Sequence, residues 1–150
     1  MRVAPIWDIE VINKFLEPMK NEVLCDEELN QINTTGLKNN SNYIGVYVKD
    51  ELITVIKYEY MTPVTVCYHF YLRKDLWGKG IAGPIAKELD KWFLEKTSVH
   101  KLCIYAPEPC KHTIRTARLV GWTLEGVLTS SVVWKGKIEN MIILSRFIRR

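Results

Sequence analysis

The chain has 150 residues, 47% of them hydrophobic and 25% charged, with a net charge of +4. One domain of this length buries roughly 70% of the surface its unfolded chain exposes, so it needs no disulfide or metal to hold it. The mild basicity suits a phosphate-bearing ligand, excludes the concentrated charge of a nucleic-acid binder, and leaves the basic run at Arg146, Arg149 and Arg150 as a solvated tail.

The four cysteines, at 25, 67, 103 and 110, form no CxxC pair, which argues against zinc. Asp8 and Glu10 interrupt the N-terminus before an apolar run can form, so neither a signal peptide nor a membrane span is expected. A reducing, cytoplasmic setting follows. Five Trp and seven Tyr read chiefly as core filling, and otherwise as aromatic contact surface.

Met1 to Ile6 reads as a strand. Asp8 is placed to cap a helix through Val11, Ile12, Phe15, Leu16 and Met19, which Pro18 kinks or ends. Asp26 is placed to cap a second helix through Leu29 and Ile32, stopping near Gly36. The Asn-, Gly- and Thr-rich stretch from Thr34 to Asn42 reads as a loop, the most mobile part of the N-terminal half.

Tyr43 to Val48 and Glu51 to Tyr60 read as a hairpin turning at Lys49-Asp50, and Val64 to Leu72 as a third strand. A loop from Arg73 to Ala82 leads into a helix from Gly83 to about Lys96, with Ile85, Leu89, Trp92 and Phe93 at helical spacing. Lys101 to Ala106 is a strand ended by Pro107 and Pro109, and a helix from about Lys111 to Val120 stops at Gly121. Trp122 to Phe147 reads as two long strands turning at Gly136. The order implies a single α/β (α+β) domain over 1–150, a central mixed sheet with helices on its faces.

The chemistry-bearing segment is strand Phe70-Tyr71-Leu72, then Arg73-Lys74-Asp75-Leu76-Trp77-Gly78-Lys79-Gly80-Ile81-Ala82-Gly83, then helix. Glycines at 78, 80 and 83 admit a ligand close to the backbone, the helix start offers unpaired N–H groups, and Lys79 adds a cation. The GxxxxGK[ST] of a P-loop is absent. G-x-G-x-x-G is present but lies mid-chain after an antiparallel run, without the acidic partner of a dinucleotide-binding unit.

This segment is similar to the cofactor loop of the GNAT superfamily of acetyl-coenzyme-A-dependent N-acetyltransferases, with Gly78, Lys79, Gly80, Ile81 and Ala82 on the glycine pattern. Cys110 to Gly126 is similar to that family's second helix–strand motif through Arg115, Gly121-Trp122 and Glu125-Gly126. That ending, with Gly136 and Glu139, resembles the branch acting on protein N-termini and ribosomal proteins. The likeness covers residues 43 to 147. It implies a mostly antiparallel mixed sheet, with coenzyme A or acetyl-coenzyme A held by Leu72, Arg73, Trp77, Gly78, Lys79, Gly80, Ile81, Ala82, Cys110 and Arg115.

Acetyl transfer needs a polarised thioester carbonyl, a base for the amine and an acid for the thiolate. Backbone N–H groups near Leu72 and Arg73 are candidates for the first. His69 and Glu59 are the candidate catalytic bases, with Tyr68 a further titratable group on the strand. Tyr105 and His112 read equally as a sheet residue and an exposed helix start.

Three positions depart from the family: Trp77 replaces Gln/Arg, Cys110 replaces Asn, and Ala117 stands where many members carry an acid Tyr. Two readings follow. One is an N-acetyltransferase acting on a primary amine of a protein, peptide or small molecule. The other is a catalytically degenerate member serving as a protein-binding or tailed-phage virion and head-assembly module, resident in the host cytoplasm or virion. The final hairpin offers an edge for a homodimer.

Overall fold

A computed structural model describes residues 1–35 and 42–149. The expected loop, and the expected helix stop at Gly36, fall largely on 36–41 and lie outside the described residues. The elements are β1 (Arg2–Pro5), α1 (Ile9–Leu16), α2 (Lys20–Val23), α3 (Asp26–Thr35), β2 (Asn42–Val48), β3 (Glu51–Thr62), β4 (Thr65–Leu72), α4 (Ala82–Lys96), β5 (Lys101–Pro107), α5 (Lys111–Leu119), β6 (Thr123–Trp134) and β7 (Lys137–Phe147). A short 3-10 turn, Lys74–Leu76, follows β4.

The sheet runs β1-β2-β3-β4-β5-β7-β6, antiparallel throughout except for the parallel β4–β5 pair. Strand parity divides the core. One face carries Ile44, Val66, Tyr68 and Leu102 against Ile85, Leu89 and Phe93 of α4 and Ala117 of α5. The other carries Tyr43, Val55 and Tyr71 against Ile12, Leu16 and Leu24 of the N-terminal helices.

Asp8 caps α1 as expected, its Oδ1 accepting the Glu10 N–H at 2.9 Å. The expected pair of N-terminal helices is three. Pro18 has no N–H to continue α1, so the chain stops at Leu16 and restarts as α2 at Lys20. Asp26 is not an N-cap. It is the first residue of α3, and its carboxylate leaves the helix for the β6–β7 turn, accepting the N–H groups of Lys135 and Gly136, both at 2.8 Å. Cys25 instead meets Glu28, its N–H donating to Oε2 at 3.4 Å.

Both two-residue turns are left-handed, with φ of 49° and 64° at Lys49-Asp50 and 50° and 76° at Lys135-Gly136, the geometry that matches strand twist. β6 is an edge strand whose ladder with β7 breaks twice, between Leu124 and Gly126 and between Leu128 and Val132. At the second break Ser130 has φ 48° and its N–H donates to Asn140 Oδ1 at 3.0 Å.

Candidate active site

β4 and β5 pair at three positions only, Thr65–Lys101, Val66–Leu102 and Cys67–Cys103. Past Cys67 β4 stays with β3 while β5 stays with β7 as far as Pro107–Met141, so the sheet opens between Tyr68–Leu72 and Ile104–Pro107. Parallel strands normally continue their ladder. Here each keeps a partner on its outer side and loses the inner one, leaving a slot lined by backbone.

The register fixes which groups line it. The Arg73 N–H donates to Ile53 O at 3.0 Å, so alternation along β3–β4 turns Tyr71 and His69 backbone groups towards β3. Those of Leu72 and Phe70 face the slot. The Arg73 N–H, expected to polarise a bound carbonyl, is therefore engaged in the sheet, and only the Leu72 N–H of that pair looks towards β5. The Leu72 carbonyl accepts the Trp77 indole Nε1–H at 2.8 Å, which lays the half-exposed ring over the end of β4.

Beyond it the loop is open. Gly78 and Gly80 have φ of 73° and 70°, and a Cβ on either would meet nothing within 4 Å. The 3-10 turn uses the N–H groups of Leu76, Trp77 and Lys79, while those of Gly78, Gly80, Ile81, Ala82 and Gly83 meet no acceptor among the described residues. Five free donors at a helix start form an anion seat. Pro84 in the first turn removes one donor that would also have been unpaired. Lys79 is exposed, forms no ion pair among the described residues, and is the loop's available cation. Lys74 is held by Glu22 of α2 at 2.6 Å. Arg73 is held by Glu51 at 2.5 Å and Asp75 at 2.6 Å; Asp75 and Glu51 drive its pKa up, and its guanidinium in turn holds that of Asp75 down. Its guanidinium braces the loop against β3.

The donor set fits the diphosphate of a coenzyme A molecule, and the slot fits an extended amide-bearing arm. Cys110 is half-buried at the N-terminus of α5, its N–H donating to Pro107 O at 2.8 Å, and burial pushes its thiol up against the opposing pull of Lys135. That removes it from reactive-thiol chemistry. Arg115 is exposed on α5 and makes no salt bridge among the described residues; His112, also exposed, stands at the start of that helix.

On the sheet face under α3, Cys67, His69 and Tyr71 of β4 stand beside Lys57 and Glu59 of β3 and Cys103 and Tyr105 of β5. His69 lies opposite Lys57 and stacks on Tyr71 at 6.4 Å with the rings 10° apart. Burial lowers its pKa below the usual value, with Glu28 pulling the other way. The imidazole is thus neutral and able to accept a proton at pH 7. Glu59 is exposed and salt-bridged to Lys57 at 3.4 Å. Tyr68 faces the other way into the core against Phe93 and Trp122, and its burial drives the phenol well up. The structure therefore groups His69 with Glu59 beneath the slot, groups 77–83 at its mouth, and removes Tyr68.

Glu28 escapes the sequence reading. It lies in an acidic helix start, and its 4.0 Å approach to His69 Nδ1 joins α3 to β4. Tyr71 is a second such residue, its phenol pushed well up by burial with Glu28 adding to it.

A family model described as "Protein of unknown function (DUF2824)" matches residues 6–145. No curated protein sequence matches the chain. Among solved structures it is similar to the ribosomal-protein-alanine N-acetyltransferase of Brucella melitensis, at 13% identity, a TM-score of 0.72, and coverage of 98% of this chain and 99% of that one. It is likewise similar to the spermidine N-acetyltransferase of Vibrio cholerae in complex with CoA and spermine, at 11% identity, a TM-score of 0.74, and coverage of 97% and 94%. The fold is that of the GNAT N-acetyltransferases. No helix among the described residues is long and apolar enough to cross a membrane.

Proposed function

The chain belongs to the DUF2824 family, and from its fold and the geometry of the site we propose that it is an acetyl-coenzyme-A-dependent N-acetyltransferase acting on a primary amine of a protein, peptide or small molecule. One observation carries the reading: the β4–β5 slot opens beside a loop in which the N–H groups of Gly78, Gly80, Ile81, Ala82 and Gly83 meet no acceptor among the described residues. Those groups and Lys79 would hold the diphosphate, with Trp77 over the mouth and Leu72 and Phe70 N–H groups along the slot. Cys110 and Arg115 would border it from α5, and Arg73 would keep the loop rigid through Glu51 and Asp75.

Acetyl-coenzyme A supplies an activated acetyl group whose C–S bond breaks as the acceptor nitrogen bonds the carbonyl carbon. The Leu72 N–H would stabilise charge on the carbonyl oxygen. His69 would take the acceptor's proton. Glu59, tied to Lys57, is the second candidate base.

The 2.8 Å bond from Trp77 to the Leu72 carbonyl favours a second reading, because that ring must move before an extended ligand can enter the slot. On that reading the fold serves as a protein-binding or virion-assembly module without turnover. Calorimetric titration with acetyl-coenzyme A decides between them, with Gly80→Trp as control. The mutant ring would stand in the space that is open at φ 70°. Micromolar binding lost in the control supports the transferase, and an amine panel including spermine and an N-terminal peptide follows. No binding at millimolar cofactor rejects it.

A further inference from the structure

We infer that Glu28 of α3 is the positioning residue for His69, its carboxylate standing 4.0 Å from the imidazole Nδ1. The inference rests on the acetyltransferase reading. It deepens that reading by naming the group that sets the base's tautomer and charge.

The geometry is over-determined on the Glu28 side. Oε2 accepts from the Cys25 N–H at 3.4 Å and faces the Cys25 thiol at 3.6 Å, and the Tyr71 phenol also hydrogen-bonds the carboxylate, so Glu28 is fixed from its own helix start and from β4 while Oε1 approaches the ring. The stacked Tyr71 ring restrains the imidazole plane. Among the described residues the charged or titratable groups facing His69 are Glu28 and Cys25 from the α3 side, Lys57 and Glu59 from β3, Cys67 and Tyr71 from β4, and Cys103 and Tyr105 from β5. Glu59 has Lys57 within 3.4 Å, which offsets its charge. Glu28 is the carboxylate that acts most on the ring, opposing the loss of basicity that burial imposes.

The step balances simply. A proton leaves the acceptor ammonium, its electron pair stays on nitrogen, and His69 Nε2 binds the proton and later returns it to solvent. A carboxylate on Nδ1–H keeps Nε2 as the acceptor tautomer and stabilises the imidazolium that forms. At pH 7 the 4.0 Å approach is that of a carboxylate to a neutral ring, and it becomes an ion pair once His69 takes the proton.

The test reads His69 directly as well as through rate. In the full-length protein, an NMR titration of the His69 ring in wild type and Glu28→Gln is expected to show the midpoint lowered by about 1 pH unit in the variant. The nitrogen shifts should lose their preference for the Nδ1–H tautomer. With active enzyme, Glu28→Gln is expected to lower kcat/KM roughly tenfold and move its acid limb to lower pH. In a His69→Gln background Glu28→Gln should have no further effect. An unchanged His69 midpoint and tautomer in a folded Glu28→Gln protein overturns the role of Glu28 alone. Absence of acetyl transfer in wild type with a normal titration difference overturns the acetyltransferase reading, and the positioning role with it.

Discussion

Replacing Asp26 by Ala removes both acceptors of the β6–β7 turn at once. The carboxylate takes the Lys135 and Gly136 N–H groups at 2.8 Å each, so α3 is tied to a hairpin tip more than a hundred residues away in the chain. Buried charge-assisted bonds are worth about 1.5–3 kcal/mol each. This turn is exposed, water replaces much of the loss, and the scale of a helix N-cap applies, about 0.5–2 kcal/mol for the pair. For a chain of this size that lowers Tm by roughly 2–6 °C. Urea unfolding of wild type, Asp26→Ala and Asp26→Asn measures it, with Asn expected to retain part of the effect through its one carbonyl oxygen. Amide exchange should accelerate at residues 135 and 136 while the buried residues of β5 stay protected. A ΔΔG for Asp26→Ala below about 0.3 kcal/mol would refute the reasoning, because it would mean that water satisfies the turn as well as the carboxylate does.

Phe93 is fully buried between Tyr58 at 5.5 Å and Trp92 at 5.1 Å, so Phe93→Ala should cost about 3–5 kcal/mol in the same assay. The Cys67 thiol is pushed up to about 12, by burial first and by Cys103 next, so at about pH 8 it should react with a disulfide reagent only after unfolding. His69 has a folded pKa below its ordinary 6.5, so the unfolded chain binds more protons in the window just under that value. Stability from this group is then complete above the window and falls as pH drops through it. His69→Gln should flatten the urea-midpoint profile in the window below pH 6.5.

Periodicity and punctuation made most of the fold legible. The Lys49-Asp50 and Lys135-Gly136 turns, the apolar spacing of α4 and the stop at Gly121 are local signals; the element order gave a mixed sheet, and its mostly antiparallel character came from the family resemblance. What proved illegible depends on distance. Asp26 has the chemistry of an N-cap, and nothing local says that a turn from the far end of the chain will outcompete its own helix. Likewise Arg73 is among the cofactor-holding residues that the family resemblance implies, yet Glu51 and Asp75 surround its guanidinium once β3 and β4 align. The glycine loop was visible as an anion seat because backbone donors depend on glycine spacing. Of the slot beside it only the donor end near Leu72 and Arg73 was legible, since where β4 and β5 part company is a matter of register. Glu28 beside His69 was hidden for the same reason.

The broken outer strand bears on aggregation. β6 lies at the edge of the sheet, twelve residues long with Leu124, Val127 and Leu128 exposed, the profile of a strand that could template another chain. Its two breaks leave no aligned run longer than three residues, 126–128 or 132–134. An incoming strand would lose registry before its backbone bonds could repay the ordering of its residues. The irregularity at Ser130 thus acts as a gatekeeper on an apolar edge, and straightening it by deleting two of residues 129–131, so that one residue is left opposite Asn140, should raise the tendency to form fibres, read by thioflavin fluorescence.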